Sequence, residues 1–489
     1  MTATETRPHL RATLILACLA QFMVILDVSV VNVALPTIRH DLGFSEVDLQ
    51  WVVNAYTVTF AGFLLLGGRA ADLFGRRRVF VGGLALFAGT SLIGGLANSE
   101  TVLIVARAAQ GLGAAVIAPA SLTVITTTFT EPAERNRAVG IWGAMGGAGG
   151  TAGVLLGGLV TQLLGWRWVL FINVPVGLLT AVLAHRLIAE GRNPGASRNI
   201  DLAGAVTATL GLSLLVLGVV RTGVAGWTSA QTWMLIGSGL IVLLAFVVLE
   251  GRFAKQPLVP LGLFRSRSLT TANAVLFLVG GSAFGMWFFL TLYMQEVLGY
   301  SPLRTGVTFL PMTMTIVAGA MIASRITARI GAKRLLVLGM LGLSAGLLLF
   351  TRITTTGGYL NQLLVPGVLA GAGMSFAFVP GTICATAGVA PREAGLASAL
   401  VNSSRLFGGA LGLAILAAIA TARTNALLGH PTAGVHTFDE ALVGGFQLAF
   451  LIAAGFAFLG AVLAALVMPN VVARVPGGAA AHVQPAIEG

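Results

Sequence analysis

Long apolar runs separated by short polar segments make up almost the whole chain. A helix needs about twenty mostly apolar residues to cross the hydrocarbon of a bilayer. Such runs fall at about 12–35, 51–68, 79–97, 102–126, 138–163, 168–188, 202–220, 231–249, 270–295, 304–324, 335–351, 360–386, 396–420 and 441–468. The pattern predicts fourteen transmembrane helices in an all-α integral membrane protein. The longest stretches between them, 189–201, 250–269 and 421–440, are too short for a soluble domain, and a Gly/Ala/Pro-containing tail follows Met468. No cleavable leader is expected, because the first run is too long and lacks an Ala-x-Ala exit.

The basic residues orient these spans. An even number of helices puts both termini on one side. Of the 29 Lys and Arg, 21 lie in segments on that side and 6 on the other, with Arg107 and Arg405 inside helices. Positive charge accumulates on the cytoplasmic side, so both termini are expected in the cytoplasm, with the protein in the cell inner membrane.

Composition agrees with this reading. Hydrophobic residues make up 56% and charged residues 9%, against about 25% charged in soluble domains. The 64 glycines suit close helix approach in lipid. The net charge of +12 does not point to nucleic acid, because the basic residues form short clusters between apolar spans without an aromatic-interleaved face. Cys18 and Cys384 lie in spans without flanking ligand residues and read as inert packing groups. No metal site and no cofactor are expected. The chain has no G-x-x-x-x-G-K-[ST] loop and not even a Gly-Lys pair, so ATP is not its own energy source.

One stretch breaks the apolar pattern. "VILDVSVVNVALP" (24–36) sets Asp27 within the first span, where a carboxylate costs about 2.5–3.5 kcal/mol even on the gentler insertion scales. Asp27 falls roughly 5 Å outward of the first helix's midpoint, and Arg107 roughly 10 Å outward of the fourth helix's, at about 1.5 Å per residue. A long Arg side chain spans that gap, so pairing is the least costly arrangement for both. Gln110 and Ala114 share a helix face with Arg107 (i, i+3, i+7). Two roles stay open, a structural ion pair and a carrier of a coupling proton. Burial favours the neutral acid and a guanidinium favours the carboxylate, so a small change of geometry can switch between them.

The sequence also repeats. "GRAADLFGRRR" (68–78) after the second span aligns with "SRITARIGAKR" (324–334) after the tenth, some 256 residues later. "GLGAA" (111–115) matches "GAGMS" (371–375), and "EPAERNRAV" (131–139) matches "APREAGLAS" (390–398). Helices 1–6 and 9–14 therefore read as two copies of one six-helix unit with helices 7 and 8 inserted, the trace of a transporter that rocks around a midplane site. The expected division is an N-terminal bundle (1–188), a linker with two inserted helices (189–268), a C-terminal bundle (269–470) and a tail (471–489).

At this point the chain resembles the major facilitator superfamily, specifically its fourteen-helix drug:proton antiporters, over residues 10–470. The first-loop signature G-x-x-x-D-[RK]-x-G-R-[RK] is met by Gly68, Asp72, Gly75, Arg76 and Arg77, with Leu73 where a basic residue is usual. The helix 4 signature R-x-x-Q-G-x-G-A-A is complete as Arg107, Gln110, Gly111, Gly113, Ala114 and Ala115. The helix 5 antiporter signature is met by Gly140, Gly149, Gly153, Gly157 and Gly158, with Val154 replacing its proline. "LDVSVVNVALP" and "GWRWVLFINVPVG" (165–177) are markers of the same branch.

The resemblance implies export of amphipathic drugs or antibiotics in exchange for protons, by alternating access, from a monomer that is not an enzyme. An exporter dedicated to one metabolite and a proton-coupled importer are the alternatives. Asp27 and Arg107 would form the proton-coupling pair, with Glu296 as a second acid near the outer end of helix 9. Gly68, Asp72, Gly75, Arg76 and Arg77 read either as orientation charges or as a conformational latch in which Asp72 engages a helix end or basic partner. Gly149, Gly153 and Gly157 form an i, i+4, i+8 stripe that permits close contact with a neighbouring helix, expected from the other bundle, for packing or as a gating hinge. Aromatic, Met and polar residues suit a pliable cavity, and the candidates are Met23, Asn32, Asn54, Tyr56, Gln110, Trp142, Met145, Trp287, Tyr293, Phe376, Asn402 and Arg405.

Overall fold

The structure is a computed structural model that describes residues 6–191, 201–226, 228–254, 257–387, 389, 393–429 and 437–470. The expected tail and part of the linker lie outside these residues. Among the described residues fourteen helices are long and apolar enough to cross a membrane, and there is no strand. They are α1 (Thr6–Leu42), α2 (Trp51–Phe74), α3 (Arg76–Gly95), α4 (Glu100–Thr128), α5 (Pro132–Leu164) and α6 (Arg167–Leu187). α7 (Leu202–Ala225) and α8 (Ala230–Val248) follow. The last six are α9 (Arg267–Leu292), α10 (Pro302–Ile330), α11 (Ala332–Phe350), α12 (Val365–Thr386), α13 (Ala394–Gly429) and α14 (Phe438–Leu466).

Several helices outrun their apolar cores. α1 continues past Pro36 through Arg39, His40 and Asp41 and stops only at Gly43, whose φ of +79° suits a helix end. In hydrocarbon and at its border the backbone must satisfy its own hydrogen bonds, so the helix persists until a residue can break it. Local starts are capped as well. Asp201 accepts from Gly204 N (2.7 Å) at α7. Thr437 and Glu440 form a reciprocal box at α14.

The repeat reappears in packing. α1 lies along α5, α2 and α3 along α4, and α3 along α6; in the same order α9 lies along α13, α10 and α11 along α12, and α11 along α14. The α2–α3 and α10–α11 junctions are made alike, by Gly75 at φ +104° and Gly331 at φ +88°. Such values favour glycine, which explains why the loop motif keeps one there in both copies. α7 packs on α8, α2 and α13, while α8 is largely exposed on its outer faces.

Lipid tails supply no hydrophobic drive between helices, so close contact of small residues must do the work. Gly113 of α4 meets the Phe87 backbone of α3, and Gly346 of α11 meets the Ala370 backbone of α12. The Gly149, Gly153 and Gly157 stripe follows this rule but not the expected partner. It rests on α1, with Gly149 against Phe22 and Ile25, Gly153 against Leu26 and Ser29, and Gly157 against Val30. A small-residue stripe reports that a helix approaches closely and says nothing about which helix. The opposite side of α5 makes the cross-set contact, with Gly158 against Pro302 and Leu303, and Gly306 of α10 against the Val154 carbonyl.

The first and last six helices are tied together at the end opposite the termini. Arg39 Nη1 lies 3.1 Å from Glu296 Oε2, with His40 3.7 Å from the other carboxylate oxygen. Gln295 Nε2 donates to the Val33 carbonyl (2.8 Å), and Leu303 N donates to Gln162 Oε1 (3.2 Å). Toward the terminal end, half-buried polar positions line the helices of the second set, including Ser398 and Asn402 of α13 and Thr382 of α12.

Candidate functional site

Five helices converge on one carboxylate. Asp27 of α1 has no solvent exposure and Arg107 of α4 only 2%. Arg107 Nη1 donates to Asp27 Oδ2 at 2.6 Å, while Gln110 Nε2 and Asn173 Nδ2 each donate to Oδ1 at 2.8 Å. Arg107 is itself held. Its Nε donates to the Val52 carbonyl (3.0 Å), its Nη1 also to Gln110 Oε1 (2.6 Å), and its guanidinium sits 4.4 Å over the Tyr56 ring. Gln110 Nε2 also reaches Ser91 Oγ (2.7 Å). Both carboxylate oxygens accept hydrogen bonds, one at Oδ2 and two at Oδ1, the two charges cancel, and the stacked ring closes one side.

The i, i+3 spacing puts Arg107 and Gln110 on one turn of α4, where a single face presents both to α1. Close helix approach then brings the donors in range. Gly111, on that turn, lies against the Tyr56 carbonyl of α2, and Gly177 of α6 lies 3.6 Å from Met23 Sδ of α1 at the position of an added Cβ. Larger residues there would push the polar groups apart.

Asn173 and Ser91 were not among the residues singled out from sequence. Asn173 lies in the branch marker "FINVPVG", so its signal was present. Ser91 has none, being one hydroxyl in an apolar helix. Asn173 is 1% exposed and its Oδ1 has no partner among the described residues.

The remaining candidates divide. Met23, Asn54, Tyr56, Gln110 and Tyr293 are buried. Asn54 Nδ2 donates to Gln50 Oε1 (3.4 Å), and Tyr56 OH donates to the Val24 carbonyl (3.5 Å). Tyr293 OH bonds the Thr354 carbonyl (2.7 Å) at the far end, so none of these five presents a free surface in this conformation. Trp142 donates to Ser121 Oγ (3.0 Å) within the first set. Asn32, Met145, Trp287, Phe376, Asn402 and Arg405 are half-buried. Trp287 packs on Phe309 with ring centroids 4.8 Å apart, and Arg405 lies 5.4 Å over the Phe378 ring.

At the loop motif the acid that gathers the basic residues is Glu190, not Asp72. Arg77 and Arg78 Nε both lie 3.5 Å from Glu190 Oε2, Arg76 N donates to the Gly191 carbonyl (3.1 Å), and Arg77 Nη1 donates to the His185 carbonyl (3.3 Å). Asp72 makes no hydrogen bond or ion pair among the described residues. Glu190 lies just beyond α6, Gly75 packs directly under its carboxylate, and the expected engagement of Asp72 with a helix end or basic partner is not seen among the described residues. A Cβ added at Gly68 would lie 3.5 Å from Pro119 of α4.

Comparison with known proteins gives a consistent picture. The sequence matches the Major Facilitator Superfamily profile over residues 17–413 and 312–486. It is 46% identical to the cephamycin export protein CmcT of Amycolatopsis lactamdurans, covering 88% of each chain. It is 43% identical to the puromycin resistance protein pur8 of Streptomyces alboniger, covering 92% of this chain and 90% of the relative. A tetracenomycin C resistance and export protein of Streptomyces glaucescens is 35% identical over 84% of this chain and 76% of its own. In fold, the chain resembles a bacterial homolog of the human lysosomal transporter Spinster in an inward-facing, unoccupied conformation, with TM-score 0.67 and 16% identity over 94% and 97% of the two chains. The inward-open xylose transporter XylE from E. coli gives TM-score 0.62 and 14% identity over the same shares.

Proposed function

The chain belongs to the major facilitator superfamily, and from that premise we propose that it is a membrane efflux transporter that exchanges amphipathic drugs or antibiotics for protons. Relatives above 40% identity, spanning nearly the whole of both chains, carry names of antibiotic export and resistance, which supports the export direction. The observation that supports the coupling mechanism is the buried Asp27 network. A carboxylate with three donors and a cancelled charge is stable in hydrocarbon, and a proton can reach it only when that arrangement opens.

The first and last six helices act as two bundles that rock about the interface of α1 and α5 with α9 and α10. The end opposite the termini is the outer face, closed here by Arg39–Glu296 and the Gln162 and Gln295 bridges. Substrate enters from the cytoplasmic side between the bundles. When the outer face opens, Asp27 accepts a proton, its hold on Arg107 weakens, and substrate leaves. Return to the inner state delivers the proton to the cytoplasm and restores the pair. The loop motif, with Arg77 and Arg78 on Glu190, steadies the α2–α3 junction during this motion.

The test is transport in inverted vesicles. Asp27→Asn is expected to reach the membrane and to lose pH-gradient-driven accumulation of substrate. Undiminished gradient-driven transport by that variant would remove the proton role from Asp27. A second reading, export of a single compound, is favoured by the fact that the names of two of the relatives each refer to one antibiotic. A panel of structurally unrelated antibiotics decides between them.

A further inference from the structure

Two basic side chains lie deep inside spanning helices, and their surroundings differ. Arg107 has Asp27, Gln110 and the Val52 carbonyl. Arg405, twelve residues into α13, has none of these. Its Nε is buried without a hydrogen-bond partner, no nitrogen of its guanidinium makes a hydrogen bond or ion pair among the described residues, and the guanidinium lies 5.4 Å over the Phe378 ring. A charge at that depth costs about 2.5–3.5 kcal/mol when nothing compensates it.

Among the described residues no carboxylate forms an ion pair with Arg405. Glu296 is engaged with Arg39 at the far end, and Glu440 closes the capping box of α14 at the same end. Glu393, just before α13, precedes Arg405 by twelve residues, about 18 Å along a helix axis. Asp27 is already paired with Arg107. Asp72 lies eleven residues toward the terminal end from Ala61, whose carbonyl accepts from Ser403 Oγ (3.2 Å), whereas Arg405 lies two residues the other way.

The site is nevertheless reachable. Along α13, Gly395 is exposed and Ser398, Asn402 and Arg405 are half-buried, whereas Gly409 and Gly412 beyond them are buried. This stripe starts at the terminal end and stops at Arg405. On α12 the half-buried face of Met374, Phe378 and Thr382 runs beside it. A polar stripe inside a membrane helix faces water or ligand, not lipid.

We propose that Arg405 is the anchor for a negatively charged group on the transported molecule, and that the substrates are therefore amphipathic organic anions, carboxylates in particular. The planar guanidinium offers paired donors that match a carboxylate, and the Phe378 ring beneath it suits an adjoining apolar group. This assignment rests on the export reading and narrows it.

The test uses the full-length purified protein and three matched probes: dansylphenylalanine, an anion; its neutral methyl ester; and dansylcadaverine, a cation. Binding is followed by dansyl fluorescence. The acid is expected to bind at least about tenfold more tightly than the ester, the effect of one charge-assisted hydrogen-bonded pair. R405Q abolishes that preference and R405K retains most of it, while thermal unfolding of both stays near wild type. Equal binding of acid and ester by the wild-type protein, tighter binding of dansylcadaverine, or an unchanged preference in R405Q would each overturn the assignment. Uptake into inside-out proteoliposomes separates the two levels. Gradient-driven uptake of the ester or the cation but not the acid refutes the anion assignment and leaves export intact. Absence of uptake for all three removes the export reading and this inference with it.

Discussion

Asn173 Nδ2 donates to Asp27 Oδ1 at 2.8 Å, joining α6 to α1 across 146 residues of sequence. Without that bond the carboxylate would keep Arg107 and Gln110 but lose the only donor that comes from α6. Asn173→Ala is expected to destabilise the protein by about 1–3 kcal/mol, the cost of leaving a buried acceptor short of a donor, and to slow gradient-driven transport. Thermal unfolding in detergent and vesicle transport check both. A wild-type melting curve with normal transport would show that this bond holds nothing.

Removing Arg107 alone is more severe. Arg107→Leu leaves a buried carboxylate unpaired, for which about 3–5 kcal/mol is typical, so folded yield should fall sharply. The double variant Asp27→Asn with Arg107→Gln carries no buried charge and should recover yield without recovering proton-driven transport. Yield by size-exclusion profile and transport by vesicle assay separate the structural role from the coupling role.

The glycine stripe of α5 predicts a position-specific pattern. A Cβ at Gly157 would lie 2.9 Å from Val30 Cα, and one at Gly153 3.0 Å from the Leu26 carbonyl oxygen, both backbone atoms that cannot swing away. Gly157→Leu should therefore push α5 off α1 and reduce the yield of folded protein. Gly140 belongs to the same motif but has nothing within 4 Å of its Cβ position. Gly140→Ala should be neutral or slightly stabilising. Limited proteolysis compares the two, and equal behaviour would contradict the contact.

The bridge at the far end predicts a shift in conformation. Glu296→Gln removes the acid shared by Arg39 and His40, leaving the Gln295 and Gln162 bridges to hold that face. An ion pair at the edge of solvent contributes about 1 kcal/mol, so opening there should rise by about fivefold. The measurement is thiol labelling at an introduced Asn32→Cys, which leaves all these bridges in place, and the background is low because Cys18 and Cys384 are both buried. An unchanged labelling rate would assign the closure to the remaining contacts.

Much of the architecture was legible because a membrane helix advertises itself through apolar length, and because the charge tally depends on every span being counted. The pairing of Asp27 with Arg107 was legible for a related reason, since each is expensive alone and their depths agree. What stayed hidden concerns partners that carry no cost of their own. Asn173 and Ser91 look ordinary outside the network, and Glu190 sits at a membrane border where any acid is cheap. The stripe of Gly149, Gly153 and Gly157 was read correctly as a close contact and assigned to the wrong side, because periodicity fixes a face of one helix but not the neighbour that occupies it. Aromatic candidates such as Tyr293 and Trp142 proved to be tied inside one set of helices, a distinction that composition does not encode.

The cancellation of charge between Asp27 and Arg107 has an electrical consequence. With the acid ionised, the buried network carries no net charge, and moving it through the membrane field takes no work. Once the acid holds a proton, the guanidinium is left with a full positive charge, and a transmembrane potential acts on it with about 2.3 kcal/mol per 100 mV for a complete crossing. In a cell whose interior is negative, that force pulls the proton-loaded form inward. Under the proposed exchange the voltage would then drive the return stroke alongside the pH difference, and the pair that is silent at rest would serve as the gating charge of the cycle.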